Sequence, residues 1–266
     1  MKSYKSYKSY KSAICIIPPE SQWKNIQEIR QKHDKHFNRW MPHINFLYPF
    51  ILPPSLSFSS SSSSSKLDII DNNNNNNNND ENKIEPNYID TNEILEILMQ
   101  AVNSIEPFII KFQELDYFLF GKSSSTVWLK PKTEPVDILM ELENRLTGSS
   151  STTSTTTSTS TTTSISTDTE KKEETEKESS FGFQEFDDLI KIGSKGFKPH
   201  LSLGQFRGEK SAQEAIKKFS KIFSNEPIEF ELKEIYWIIR EGYNDPFKVF
   251  AKIGLGKDGV VVIEKK

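Results

Sequence analysis

Long tracts of polar, low-complexity sequence interrupt this chain and decide how much of it can fold. Ser55–Ser65 is nearly all serine, Asn72–Asn79 is all asparagine, and a third tract consists almost entirely of Ser and Thr. Such tracts lack the apolar side chains whose burial offsets the entropy lost on ordering. We therefore predict disordered insertions at residues 55–85 and 147–180, and a disordered N-terminal repeat at residues 1–11, where Lys-Ser-Tyr occurs three times.

The remaining 190 residues suffice for one compact domain with a sizeable core, which we predict to extend over residues 12–266 with these two interruptions. A net charge of −3 argues against a protein that coats DNA nonspecifically. The single cysteine, Cys15, allows no disulfide framework, which fits a reducing compartment. No apolar run approaches the roughly 18 residues of a membrane span. We expect a monomeric, soluble protein of the cytoplasm or nucleus, without a membrane partner.

Apolar periodicity along the folded part predicts an α+β fold. Helices carry apolar residues on one face at helical spacing, and strands alternate apolar and polar residues. The predicted helices cover residues 21–33, 90–104, 134–146 and 211–223. The predicted strands cover residues 13–17, 43–50, 108–112, 117–120, 126–130, 200–206, 228–232, 235–240 and 247–254. Each half of the chain thus repeats one order: a strand that begins with a histidine, then a helix, then further strands.

The repetition extends to the sequence itself. Glu106–Phe112 matches Glu226–Leu232 at an offset of 120 residues, whereas His43 and His200 are 157 residues apart. The excess of 37 residues is close to the length of the insertion at 55–85, which falls in the first half only. A duplication would place equivalent residues face to face about a pseudo-two-fold axis. Strand patterning alone also produces matches of this kind.

Two short motifs share the pattern proline, histidine, apolar, polar, apolar. They are Pro42-His43-Ile44-Asn45-Phe46 and Pro199-His200-Leu201-Ser202-Leu203. Because residues i and i+2 of a strand point to the same side, each strand presents an imidazole and a small hydrogen-bonding group to one cleft. Two imidazoles can act as general base and general acid on a phosphodiester, while Asn45 and Ser202 donate hydrogen bonds to its non-bridging oxygens. This chemistry requires no metal or cofactor; the alternative is a pair of partly buried structural histidines.

The two motifs resemble those of the 2H phosphoesterase superfamily, also called the 2'-5' RNA ligase or cyclic nucleotide phosphodiesterase family, which carries two copies of His-x-Ser/Thr-x. The segment Phe197–Gln205 is a close match, and the first copy departs from the pattern at Asn45. The resemblance implies a bilobal α+β fold in which two antiparallel sheets, with outer helices, flank a central cleft. It also implies metal-independent chemistry on RNA ends or small nucleotides, namely opening 2',3'-cyclic phosphates, trimming RNA 3' ends, or joining or cleaving 2'-5' linkages. The sequence does not select among these activities, and we expect a hydrolase that opens 2',3'-cyclic phosphates or processes RNA 3' ends.

Two interpretations of the function remain open: the phosphodiesterase, and a non-catalytic RNA- or nucleotide-binding module with the same fold. Aromatic residues near the expected cleft could stack a base or could pack in the core or rim, namely Tyr48, Tyr236 and Trp237. Arg240 could contact phosphate or lie solvated at a strand end. His33 and His36 could pair at a metal or lie at a solvated helix end.

Overall fold

A computed structural model describes residues 7–53, 90–148, 183, 196–257, 259 and 261–263. The predicted insertion at 55–85 lies outside these residues. The insertion predicted at 147–180 overlaps them only at Thr147 and Gly148. The described part is an α+β fold with antiparallel sheets. None of its helices combines the length and the apolar composition that crossing a membrane requires.

The elements follow the predicted order, but the strands predicted over 108–112 and 117–120 form one strand, and two short strands, at Lys8–Ser9 and Val261–Ile263, were not predicted. The helices are α1 (Lys24–His33), α2 (Thr91–Val102), α3 (Ile138–Thr147) and α4 (Gly208–Asn225), and a 3-10 turn at Glu20–Gln22 precedes α1. The strands are β1 (Lys8–Ser9), β2 (Ser12–Ile16), β3 (Ile44–Leu47), β4 (Phe50–Ile51), β5 (Phe108–Phe120), β6 (Ser124–Glu134), β7 (Leu201–Phe206), β8 (Ile228–Leu232), β9 (Glu234–Ile239), β10 (Lys248–Gly254) and β11 (Val261–Ile263).

Two predicted boundaries change for reasons of backbone chemistry. The single strand expected over 43–50 is divided into β3 and β4, because the proline of the cis Tyr48-Pro49 bond has no N–H to continue the ladder. Helix α3 begins at Ile138 rather than 134, because β6 continues to Glu134 and Pro135 follows it.

Each histidine motif leads into an edge strand of a different sheet. The five-stranded sheet has the order β11-β10-β9-β2-β3, and the four-stranded sheet has the order β7-β6-β5-β8. His43 immediately precedes β3, and His200 immediately precedes β7. A third, two-stranded sheet joins β1 to β4.

The two segments that match in sequence are neighbours in the four-stranded sheet. Phe108–Phe112 of β5 pairs antiparallel with Ile228–Leu232 of β8, and Ile110 lies opposite Phe230 at the centre of the pairing. This arrangement agrees with a duplication, but the pseudo-two-fold relation of the two halves stays a prediction.

The core lies between the sheets and the helices, and it fixes which way the motifs face. Ile44, Phe46, Leu201 and Leu203, the apolar residues of the two motifs, are all at most 2% exposed. Strand alternation then turns the polar residues of each motif to the opposite side. A smaller apolar cluster on the other face of the five-stranded sheet contains Ala13, Cys15, Ile17, Ile238 and Phe247.

A glycine allows α1 to contact the strand of the second motif. An added Cβ at Gly204 of β7 would lie 2.5 Å from His33 Cβ and 2.8 Å from the His33 carbonyl oxygen. Any larger residue would therefore push the last turn of α1 away from β7. This close approach joins the element before the first motif to the strand that follows the second histidine.

The prediction that residues 1–11 are disordered is wrong for residues 7–11, and residues 1–6 lie outside the described part. Lys8 and Ser9 form β1 and lie opposite Ile51 and Phe50 of β4. Backbone pairing orders this segment, since it does not depend on the apolar side chains that the Lys-Ser-Tyr repeat largely lacks.

Candidate active site

Side chains from both motifs line one cavity of about 330 Å³, a volume in the range of small-molecule sites. His43 and Asn45 come from the first motif, and Ser202 comes from the second. His200 is not among the lining residues, although it precedes Ser202 by two positions. The remaining lining residues are Arg30, Asp34, His36, Arg39, Trp40, Tyr48, Gln205 and Arg240.

Both imidazoles are fixed by the same backbone hydrogen bond. His43 Nδ1 lies 2.7 Å from the carbonyl oxygen of Met41, and His200 Nδ1 lies 2.8 Å from the carbonyl oxygen of Lys198. A carbonyl oxygen can only accept, so each Nδ1 carries a proton and donates it. In the neutral rings Nε2 is therefore the unprotonated nitrogen, available as a base.

Asn45 contacts the reactive nitrogen of His43 directly. Its Nδ2 lies 3.0 Å from His43 Nε2, and an Nε2 without a proton accepts this bond. Asn45 Oδ1 is buried and has no hydrogen-bond partner among the described residues. The second N–H of Asn45 forms no hydrogen bond within the described residues, so Asn45, which lines the cavity, can donate it to a ligand.

Burial lowers the pKa of His43 to about 4, so the ring is neutral near pH 7. The hydrogen bond to the Met41 carbonyl opposes this shift, whereas the charges of Arg30 and His200 add to it. The Trp40 ring covers one face of the imidazole, with centroids 4.5 Å apart and planes at 18°. The contribution of His200 to the pKa of His43 indicates that the two rings are within electrostatic reach.

His200 has different neighbours. Its ring meets Phe118 edge-on at 4.9 Å between centroids and lies 5.8 Å from the ring of Trp128. Lys198 forms an ion pair of 3.2 Å with Asp116 and lies over the Trp128 ring. Burial lowers the pKa of His200, the Lys198 carbonyl opposes the shift, and the Lys198 ammonium adds to it.

The family described as the 2'-5' RNA ligase superfamily matches residues 18–244, a range that includes both motifs and most of the chain. The chain belongs to the 2'-5' RNA ligase superfamily, which is the 2H phosphoesterase superfamily. No curated protein sequence matches the chain. The resemblance that the two motifs suggest is thus confirmed at the level of the family.

In this 2'-5' RNA ligase superfamily member, a buried ion pair holds one wall of the cavity in place. Arg30, only 2% exposed, donates from Nε to Asp34 at 2.9 Å and from Nη2 to the Trp40 carbonyl at 2.8 Å. Asp34 Oδ1 in turn accepts from Gln205 Nε2 of β7 at 3.3 Å. The pair therefore links α1 both to the residue stacked on His43 and to the strand of the second motif.

The three aromatic residues considered for base stacking lie in three different environments. Trp237 is 0% exposed in the core and donates from Nε1 to Ser12 Oγ at 2.8 Å, so of the two alternatives it packs in the core and does not stack a base. Tyr236 is half-buried, donates its hydroxyl to Glu234, and is not among the residues that line the cavity. Tyr48 does line the cavity, edge-on to Trp40 at 5.1 Å between ring centroids.

His33, His36 and Arg240 are not solvated surface residues. His33 packs against Phe206 with ring centroids 5.0 Å apart, and His36 accepts a hydrogen bond from Arg39 inside the cavity. Arg240 is 7% exposed, which corrects the interpretation of a solvated strand end. Within the residues that the structure describes, no three His, Cys, Asp or Glu side chains gather as a metal site.

Sequence reasoning missed the residues that surround the two histidines. Trp40 and Arg39 lie two and three residues before Pro42 of the first motif, and Lys198 lies two residues before His200. Their position next to a motif is the only local signal. Phe118 comes from β5, far away in sequence, so only the sheet pairing brings it to His200.

Proposed function

We propose that this protein is a metal-independent phosphodiesterase that opens 2',3'-cyclic phosphates at RNA ends or on small nucleotides, with His43 and His200 as its acid–base pair. One observation carries the proposal: both motifs contribute to a single cavity, and the backbone bond of each imidazole through Nδ1 leaves Nε2 as the nitrogen available for proton transfer. Family membership supports the class of chemistry.

His43 is proposed as the general base. As substrate binds, the Asn45 N–H that contacts His43 Nε2 turns to a non-bridging oxygen, and the freed Nε2 takes a proton from a water molecule as the water oxygen bonds to phosphorus. The low pKa of His43, about 4, keeps this nitrogen unprotonated at neutral pH. Asn45 and Ser202 donate hydrogen bonds to the non-bridging oxygens, where negative charge builds up.

His200 is proposed as the general acid. As the bond from phosphorus to one ribose oxygen breaks, His200 Nε2 gives a proton to that oxygen, and the product is a phosphate monoester. The burial that lowers the pKa of His200 is opposed in the complex, because the anionic diester favours the charged imidazole. Proton exchange with water then restores both rings.

The proposed duplication of the two halves accounts for the matching bonds of the two imidazoles. Helix α1 precedes the first motif and contacts β7, whereas α3 precedes the second motif and contacts β3. Each motif lies at the edge of its own sheet. Equivalent histidines would then face each other from two similar half-units.

The test is the opening of a short RNA with a 2',3'-cyclic end, in EDTA, by the wild type and by His43→Ala and His200→Ala. Each substitution should lower the rate by about 10² or more, the scale of general acid–base catalysis. His33→Gln is the matched control, because His33 packs against Phe206 outside the cavity lining. We expect its rate to stay within about twofold of the wild type, since the reacting groups are untouched.

The same experiment distinguishes the second candidate, a non-catalytic RNA- or nucleotide-binding module. Such a module would bind the RNA tightly without turnover, and neither histidine substitution would change what little reaction occurs. That result would replace the phosphodiesterase proposal.

A further inference from the structure

We propose that the cavity contains a second anion site, formed by Arg39 and Arg240 with Tyr48, which binds a phosphate other than the one attacked beside His43. The inference rests on the proposed function and narrows its substrate class. The preferred ligand is an RNA end or nucleotide that carries a further phosphate, rather than a nucleoside with a cyclic phosphate alone.

The charges that line the cavity do not balance. Three arginines and one aspartate line it. Arg30 and Asp34 form an ion pair of 2.8 Å in which both side chains are at most 4% exposed, so they neutralise each other. Arg39 and Arg240 form no ion pair with any carboxylate in the described ranges. Two positive charges therefore face this cavity in a protein whose net charge is −3.

Arg240 is held rigidly by neutral groups. Its Nε and Nη2 donate to the Tyr10 carbonyl at 3.2 and 2.7 Å, its Nη1 donates to the Tyr243 carbonyl at 2.6 Å, and the guanidinium lies 4.6 Å from the Phe247 ring centroid. These bonds use three of its five N–H groups. The carbonyls orient the guanidinium without neutralising it, and a charge that is only 7% exposed is costly without a counter-ion.

Arg39, Arg240 and Tyr48 line the same cavity. The Tyr48 hydroxyl lies 3.5 Å from the Tyr10 carbonyl, the same oxygen that accepts from Arg240. Burial raises the pKa of Tyr48, and the charges of Arg240 and Arg39 both oppose that shift. Arg39 itself donates to His36 Nδ1, which leaves most of its guanidinium free to bind an anion. Two guanidinium groups and a hydroxyl suit a phosphate, which accepts several charge-assisted hydrogen bonds.

Aromatic rings separate this anion site from His43. The Trp40 ring stacks on His43 at 4.5 Å and packs on its neighbour Phe247 at 4.0 Å, and Arg240 lies over Phe247. A phosphate held at His43 therefore leaves Arg240 unoccupied. A ligand that binds at both His43 and the second anion site has two phosphates, with a nucleoside between them.

The test compares the binding of adenosine 3',5'-bisphosphate and adenosine 3'-monophosphate by isothermal titration calorimetry. Neither compound is a cyclic phosphate, so the measurement needs no turnover. We expect the wild type to bind the bisphosphate about tenfold more tightly or better, because the second phosphate gains charge-assisted bonds. In Arg39→Gln and Arg240→Gln this preference should fall to about twofold or less, because each loses one guanidinium.

Arg145→Gln is the matched control, since Arg145 lies on α3 in an exposed pair with Glu141 and does not line the cavity. It should keep the wild-type preference. Arg39→Gln decides the question even if Arg240→Gln fails to fold, because the Arg39 side chain bonds only to His36 among the described residues. Equal binding of the two nucleotides by the wild type, or an unchanged preference in Arg39→Gln, would overturn the second site. Failure of the histidine variants to slow cyclic phosphate opening would instead overturn the proposed function.

Discussion

His43 and His200 each donate Nδ1–H to the carbonyl two residues earlier, at 2.7 and 2.8 Å, but their rings contact different surroundings. Trp40 stacks on His43, beside a cavity with two unpaired arginines. His200 meets Phe118 edge-on, beside a lysine that an aspartate already neutralises. The motif therefore fixes the tautomer on both sides, whereas the neighbouring side chains set the proton affinity and hence the proposed role.

The residue two positions after each histidine also differs. Asn45 donates to His43 Nε2 and is the departure from the family pattern, whereas Ser202 keeps that pattern. We expect Asn45→Ala and Ser202→Ala each to lower kcat/KM by about 10²–10³, because each removes a donor to the developing charge. Asn45→Ser, which makes the two sides alike, should stay within about tenfold of the wild type because a hydroxyl also donates. A wild-type kcat/KM in Asn45→Ala would show that the first motif does not contact phosphate.

The two histidines can act on one substrate only if α1 stays packed against β7, and Gly204 permits this contact. Gly204→Ala places a Cβ against the backbone of His33, so α1 must move away from β7. We expect it to lower the free energy of unfolding by about 1–3 kcal/mol. We also expect kcat/KM to fall by about 10², since small misplacements of reacting groups are costly.

Urea unfolding and steady-state kinetics check the Gly204 prediction. Gly121→Ala is the matched control: it meets no atom within 4 Å and costs only the strain of a residue with φ +68°. If Gly204→Ala and Gly121→Ala proved equally mild, the close approach of α1 and β7 would not be needed to form the site.

The assigned roles predict an acidic optimum of kcat/KM, which reports the pKa values of the free enzyme. A base with a pKa of about 4 becomes active as the pH rises through that value. An acid whose pKa lies below the ordinary 6.5 becomes inactive as the pH rises through it. The optimum should therefore fall between pH 4 and 6.5. A pH–rate profile with its maximum above pH 7 would contradict this assignment.

The smallest expected effects are changes in the pKa of a single histidine. Trp40→Leu removes the stacked indole, so water reaches His43 and its pKa should rise from about 4. Phe118→Leu should raise the pKa of His200 and leave that of His43 unchanged, because it contacts only the second ring of the pair. NMR titration of the imidazole C–H signals measures both. A shift of both histidines in both variants would mean that the two environments are not independent.

Strand alternation was sufficient to predict the orientation of the two motifs. The apolar residues one and three positions after each histidine, such as Ile44 and Leu201, indicate the buried face, so the histidines and the residues two positions after them must face the other way. The same period did not reveal which of Tyr236 and Trp237 faces the core, because both are large and aromatic. Only the packing of the five-stranded sheet decides that Trp237 is buried.

The surroundings of the histidines could not be predicted because distant parts of the chain form them. The Tyr10 carbonyl that holds Arg240 is 230 residues away along the chain. The polar repeat that contains Tyr10 resembles a disordered terminus, since composition gives no information about backbone pairing. Gly204 likewise looks like an ordinary strand glycine until the last turn of α1 is seen against it.

The most direct test of the two-histidine account measures kcat/KM for the wild type, His43→Ala and His200→Ala on two substrates in EDTA. One is a 2',3'-cyclic nucleotide, and the other is thymidine 3'-(p-nitrophenyl phosphate), whose leaving group needs no proton. We predict that His43→Ala loses about 10² or more on both, whereas His200→Ala loses that much only on the cyclic substrate and about tenfold or less on the ester. Wild-type rates for either variant on the cyclic substrate would contradict the account.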